Sequence, residues 1–200
     1  MSNPSLPSPR IGVLALQGAF REHKWTFERL GVEAFLVAKL SDLQECEALV
    51  IPGGESTAIG RLLTVFNLME PLRERIRRGM AVFATCAGMV LLAREIEGSN
   101  QPRLGLMDIR VRRNAFGRQV DSFETDLEIP VLGKEPFRGV FIRAPYVLEA
   151  GQGVEVLCSI EGKAVLVRQE TLLAAAFHPE LTDDLRLHRY FLDYVVRSRI

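Results

Sequence analysis

The chain predicts an α/β domain built on a mainly parallel central sheet, with antiparallel strands added in its second half. Three observations carry that expectation. Short apolar runs in the first half alternate with helical segments, the grammar of βαβ units. The stretch M-A-V-F-A-T-C-A-G-M-V-L-L-A, from Met80 to Ala93, reads as a buried strand, a tight turn and a helix. Beyond Leu106 the strands become shorter and more polar and are separated by turn signals. At 200 residues and 48% hydrophobic content, the length suits one compact domain with a sizeable core.

Residues 1–10, with three prolines and three serines and no apolar segment, are expected to be a disordered tail, and 11–200 a single domain. Ile11 to Leu16 is an apolar strand, broken by Gln17-Gly18-Ala19 before a helix from Arg21 to Leu30 that Gly31 stops. Ala34 to Val37 is a second strand, Asp42 to Cys46 at most a helical turn, and Ala48 to Ile51 a third strand ending in P-G-G-E-S-T. Met80 to Ala84 is the next strand and Thr85 to Gly88 a turn of small residues. Met89 to Ile96 follows as a helix with Leu91, Leu92 and Ile96 inward. In the second half, turn signals at Asn114, Gly117, Gly133, Gly139, Gly151 and Gly162 separate antiparallel candidates. These are Val140–Arg143, Val154–Ile160, Ala164–Val167 and Leu172–Ala176. Asp183 to Arg197 closes the chain as an amphipathic helix with Leu187, Tyr190, Phe191, Tyr194 and Val195 inward.

Twenty-five basic residues balance twenty-five acidic ones, with no charge block of the kind that marks a nucleic-acid or membrane surface. A small neutral or zwitterionic substrate and protein partners fit this balance. The longest apolar run is too short to span a bilayer, and a cytoplasmic location is expected. Cys46, Cys86 and Cys158 lack C-x-x-C spacing, which argues against a disulfide framework and a zinc site. Cys46 and Cys158 are expected simply to be buried.

Sites in parallel sheets lie beyond the carboxyl ends of the strands, here the loops Gln17–Ala19, Gly53–Thr57 and Thr85–Gly88. Cys86, between a buried strand and a helix start, occupies a nucleophile-elbow position, where unpaired N–H groups favour a thiolate. A buried cysteine acting as a small hydrophobe is the plainer alternative. A base must come from His23, His178 or His188, and His188 reads as a surface or packing residue of the last helix. In F-H-P-E-L-T, Pro179 biases His178 toward extended dihedrals, so His178 and Glu180 should point together as imidazole and orienting acid. A strand-end histidine beside a solvated glutamate would read the same. Gly53 and Gly54 let the backbone approach a ligand and suit an oxyanion hole, although most P-G-G stretches are plain turns. A phosphate loop is the rival, but there is no Walker lysine and no G-x-G-x-x-G.

These blocks resemble the class I, or triad, glutamine amidotransferases, and more narrowly the glutaminase subunits of pyridoxal 5'-phosphate synthase. The resemblance rests on L-Q-G-A-F-R-E-H at 16–23, P-G-G-E-S-T at 52–57 and T-C-A-G at 85–88. R-N-A-F-G-R-Q-V-D-S-F at 113–123, F-I-R-A-P at 141–145 and F-H-P-E-L-T at 177–182 complete it. It implies a three-layer, flavodoxin-like fold without cofactor or metal. It also implies that Cys86, His178 and Glu180 hydrolyse L-glutamine to glutamate and ammonia through a glutamyl thioester. Gly54, Glu55, Ser56, Arg113, Ile142 and Arg143 match the family's glutamine-binding positions. Gln17, Gly18, Ala19, Gly53 and Ala87 fall at the oxyanion hole. The family's partner is a (β/α)8 barrel synthase subunit in a large hetero-oligomer, whose docking completes that hole and receives the ammonia.

Arg113 is physically suited to clamp a carboxylate, whereas Arg110, Arg112 and Arg118 default to surface or interface roles. Ala84 stands where the family commonly has glycine, which matters only if that position needs positive φ. His23 matches a family motif, and a structural or partner-contact role is its default. A glutaminase serving another synthase, such as the imidazole glycerol phosphate enzyme, would carry a different block after the first strand. A flavodoxin-like redox or regulatory protein would have no need of H-P-E.

Overall fold

The computed structural model describes residues 9–113 and 122–196. Its first half contains β1 (Ile11–Leu14), α1 (Phe20–Arg29), β2 (Ala34–Val37), α2 (Leu40–Glu45), β3 (Ala48–Ile51), α3 (Ser56–Val65), α4 (Met69–Arg77), β4 (Ala81–Thr85) and α5 (Ala87–Leu92). The second half contributes β5 (Ala93–Ile96), β6 (Met107–Arg112), β7 (Ser122–Leu127), β8 (Phe137–Ile142), β9 (Tyr146–Ala150), β10 (Glu155–Ile160), β11 (Lys163–Gln169), β12 (Leu172–Ala175) and α6 (Arg186–Tyr190), which continues as a π-helical turn over Phe191–Val196.

The large sheet runs β2-β1-β3-β4-β12-β11-β9-β6-β5, with β10 beside β11. Its first five strands are parallel: Ile11 lies opposite Ala34 and Ala48, Ala48 opposite Ala81, and Leu172 opposite Val82. The order reverses around β1, where β2 lies to one side and β3 and β4 to the other. That reversal makes the crevice beyond their carboxyl ends the expected ligand site. β3 and β4 are buried at every position, as their unbroken apolar sequences require of strands covered on both faces.

Neighbouring residues of β4 show the two covers. Phe83 meets Phe191 at 5.5 Å, His188 at 5.3 Å and His23 of α1 at 5.9 Å, placing α1 and the C-terminal helix on one face. Ala84, the next residue, turns to the other face, where its Cβ would stand 3.1 Å from a Cβ built on Gly88 of α5. The result is helix, sheet, helix. Burying a phenylalanine such as Phe83 contributes ~1.5–3 kcal/mol, so this seam is a large share of what holds α6 in place.

Several expectations shift. α3 and α4 are helices beyond the expected elements: Ile59 and Leu63, then Leu72 and Ile76, are buried at helical spacing. The helix after the elbow stops at Leu92, and Ala93–Ile96 instead pairs with β6 as a strand. β12 is antiparallel to β11 yet parallel to β4, so it completes the parallel half as well as belonging to the antiparallel one. Gly139 marks no turn and lies inside β8, which forms a separate two-stranded sheet with β7. β1 ends at Leu14 and α6 begins at Arg186. The expected tail to residue 8, Asn114, Gly117, Arg118 and the inward side chains of Tyr194 and Val195 lie outside what is described.

Candidate active site

Cys86 adopts φ 47° and ψ −102° at the junction of β4 and α5. A non-glycine residue there carries strain of about 1–3 kcal/mol. Its N–H donates to the Ala175 carbonyl at 2.8 Å, tying the elbow to the end of β12. The thiol is 3.8 Å from the Ile142 carbonyl. Ala84 lies within β4 in parallel register with Ile51 and Ala174 and is not among the residues with positive φ. The alanine therefore carries no strain there.

His178 follows β12 and is anchored by its N–H to the Val140 carbonyl at 2.8 Å. Pro179–Leu181 is a 3-10 turn, so strand alternation does not bring Glu180 to His178, as the sequence had suggested; the turn does. Glu180 Oε1 lies 2.8 Å from His178 Nδ1. Burial disfavours the charged imidazole, but hydrogen bonds and electrostatic attraction from Cys86 and Glu180 prevail and push its pKa up to about 10.

Gly53 is wedged between these groups. A Cβ there would stand 2.3 Å from His178 Cε1 and 3.3 Å from Cys86 Cβ. Gly18 has φ 105°, and a Cβ on it would meet the Gly53 carbonyl at 1.8 Å, so both loops require glycine to come together. That carbonyl accepts the Ala19 N–H at 3.0 Å, and the Gly53 N–H donates to Thr85 Oγ1 at 3.0 Å. Gln17 Oε1 accepts the Glu55 N–H at 2.7 Å. Ala87 opens α5, where first-turn N–H groups have no intrahelical acceptor.

A cleft of about 320 Å³ is lined by Gln17, Gly54, Glu55, Ser56, Cys86, Ala87, Val90, Arg113, Ile142, Arg143, Pro145 and His178. It gathers all six residues expected to bind substrate. Glu55 caps α3 by accepting the Thr57 and Ala58 N–H groups at 3.0 and 2.7 Å. Burial would raise its pKa, but these bonds and the nearby Arg113 charge hold it below the ordinary glutamate value. Arg113 Nη1 reaches Gln101 Oε1 at 2.8 Å. Arg143 carries φ 43° just beyond β8, which turns that loop into the cleft. Val90 and Pro145 were not singled out; Val90 is one α5 turn beyond Cys86, a signal that could have found it.

A buried polar cluster lies behind the triad candidates. His23 Nε2 is 3.0 Å from Thr85 Oγ1 and 3.4 Å from Glu180 Oε2, and His23 Nδ1 is 2.9 Å from His188 Nε2. Burial, then the charges of His188 and His178, keep the His23 pKa well below the usual value, and burial lowers that of His188 to about 3. Elsewhere, Arg110 and Arg112 pair with Glu95, Glu97 and Glu149 on the surface of β5, β6 and β9. Burial pushes the Cys46 thiol up to about 11 and raises that of Cys158 as well.

A family model described as the SNO glutamine amidotransferase family matches residues 13–197. The chain belongs to the SNO glutamine amidotransferase family. Among curated relatives of this SNO chain, "Pyridoxal 5'-phosphate synthase subunit PdxT" of Carboxydothermus hydrogenoformans is 63% identical over 94% of this chain and 99% of its own. The protein of the same name from Pelotomaculum thermopropionicum is 66% identical over 94% and 96%. A solved structure titled "Crystal structure of glutamine amidotransferase" superposes with TM-score 0.87 at 55% identity, covering 92% of this chain and 97% of that one. A second, described as a putative GMP synthase subunit from Thermoplasma acidophilum, shares only the fold, at 16% identity and TM-score 0.70 over 96% of each chain. Every cleft residue falls inside the SNO match.

Proposed function

We propose that this chain is the glutaminase subunit of a pyridoxal 5'-phosphate synthase, with Cys86 as nucleophile, His178 as base and acid, and Glu180 as orienting carboxylate. The observation that carries the reading is that Cys86 and His178 line one cleft while Glu180 Oε1 lies behind it, 2.8 Å from His178 Nδ1. The name its relatives carry and the family match support the overall activity.

In this mechanism Cys86 Sγ attacks the side-chain amide carbon of glutamine with its proton already held by His178. The tetrahedral oxyanion collapses with cleavage of the C–N bond, and the imidazolium protonates the departing nitrogen, releasing ammonia. Water, deprotonated by His178, then attacks the thioester; the C–S bond breaks, glutamate leaves and the thiol regains its proton. Glu180 holds Nδ1 and keeps the other ring nitrogen available. Glutamine lies with its α-carboxylate toward Arg113 and its amide between Cys86 and the Ile142–Arg143 loop, with Gly54, Glu55 and Ser56 along its length.

The oxyanion donors come from the Gly18–Ala19 and Gly53–Gly54 loops and Ala87. Docking of a (β/α)8 barrel synthase subunit, in a large cytoplasmic hetero-oligomer, frees the loop donors and takes up the ammonia. Residues 11–200 act as one domain. The test is ammonia and glutamate release with and without the synthase subunit, Cys86→Ala serving as control. Partner-stimulated release that vanishes in Cys86→Ala is expected; no release with the partner bound would overturn the reading.

A further inference from the structure

We infer that His23 is a positioning residue that joins the acid Glu180 to the oxyanion-hole loop at Gly53 through the Thr85 hydroxyl. This rests on the triad reading above and extends it to a side chain that does not touch substrate. His23, Thr85 and His188 are 0% exposed and Glu180 3%. Placing that much polarity in an apolar seam costs several kcal/mol unless each group finds a partner. Phe27 and Phe83 pack against the pair of imidazoles, with Phe191 behind them, so space filling alone would be met as well by an apolar side chain.

The distances choose one arrangement of protons. Glu180 Oε2 is buried without a hydrogen bond, and so is His188 Nδ1. A buried N–H without an acceptor is rarer than an acceptor without a donor. The His188 proton therefore resides on Nε2 and is donated to His23 Nδ1, 2.9 Å away. A neutral His23 then carries its own proton on Nε2 and donates it to Thr85 Oγ1 at 3.0 Å, while Glu180 Oε2, 3.4 Å away, feels that N–H as a charge–dipole contact and not as a hydrogen bond. His188 acts as a tautomer lock for His23. Thr85 also accepts the Gly53 N–H, and its neighbour in sequence is Cys86. One imidazole N–H thus steadies the acid behind His178 and, through a single hydroxyl, the loop expected to hold the oxyanion. None of these atoms lines the substrate cleft. Loss of His23 should therefore act on turnover and not on glutamine affinity.

The experiment measures kcat and KM for glutamine in the full complex with the synthase subunit. It compares wild type, His23→Leu, His23→Gln, His23→Asn, Glu180→Gln and the His23→Leu, Glu180→Gln double variant. Expected for His23→Leu is a fall in kcat of about 10–100-fold, the size of losing the buried bond to Thr85 together with the electrostatic contact to Glu180, with KM within about twofold. His23→Gln, whose amide nitrogen reaches the place of Nε2, should restore most of kcat. His23→Asn, which reaches only the place of Nδ1, should not. The double variant should be little worse than Glu180→Gln alone, because the two act as one unit. Full kcat in His23→Leu, equal behaviour of the Gln and Asn variants, or losses that multiply would overturn the inference and leave the triad standing. A wild-type complex that releases no ammonia, or a Cys86→Ala complex that does, would instead sink the triad reading and this inference with it.

Discussion

The Ala19 N–H donates to the Gly53 carbonyl at 3.0 Å, so two loops expected to stabilise an oxyanion are bonded to each other. The Gly53 N–H, held by Thr85, instead fixes its loop from behind. A donor already engaged cannot receive developing charge unless the loop moves, and one lost oxyanion donor slows acyl transfer by ~10²–10³.

The isolated chain should therefore hydrolyse glutamine about a hundredfold more slowly than its complex with the synthase subunit. Coupled detection of glutamate across a partner titration checks this. Equal rates with and without partner would show that the loops need no rearrangement.

Glu180→Gln keeps the shape of the acid and removes its charge. We expect kcat in the complex to fall by ~10²–10⁴, as when the orienting acid of a triad loses its charge, and Cys86→Ala to abolish turnover. Steady-state kinetics read both, and circular dichroism checks that the variants fold.

Gly53→Ala would drive a Cβ to 2.3 Å from the His178 ring. The expected cost is about 1–3 kcal/mol of stability from overpacking, together with loss of nearly all turnover as His178 is displaced from Cys86. Urea unfolding and ammonia assays separate the two effects.

Arg113→Ala should raise KM for glutamine by about 10–100-fold while changing kcat much less, since a charge-assisted bond of ~1.5–3 kcal/mol to the substrate carboxylate is present throughout the reaction. An unchanged KM would assign the carboxylate to another residue.

Stability should peak near pH 6.5. The folded-state pKa of His188 is lowered to about 3 and that of His23 is lowered too, so their contribution is present above the unfolded value of ~6.5 and lost as pH falls below it. Each supplies up to ~1.4 kcal/mol per pH unit. His178 has the opposite sign: raised to about 10, its contribution is full below the unfolded value and fades as pH climbs toward 10. Urea midpoints across the pH range would trace both limbs, and Glu180→Gln should flatten the alkaline one.

The parallel half of the sheet was legible because β1, β3 and β4 are buried on both faces and so are written as unbroken apolar runs. Cys86 was legible from the strand, turn and helix around it. β12 was harder. Its sequence cannot say that one edge runs antiparallel to β11 while the other runs parallel to β4, because both pairings want the same buried side chains. β5 was missed since A-R-E-I continues the helical spacing of Leu91 and Leu92, and only its pairing with β6 makes it extended. The His23 cluster was invisible because it joins residues 165 positions apart. An isolated histidine in a helix gives no sign of its partner.

Because β12 is inserted between β4 and β11, the last strand to be made among the described residues lies in the middle of the sheet. While the protein is being synthesised, β4 waits with one edge unpaired until residue 175 has emerged, and His178 and Glu180 follow only a few residues later. An apolar strand with an open edge invites pairing with other chains. On the proposed triad the Cys86 thiol has no base until that edge closes, so nascent or truncated chains are expected to be both inert and prone to associate. Completion of the sheet and assembly of the proposed triad become one event.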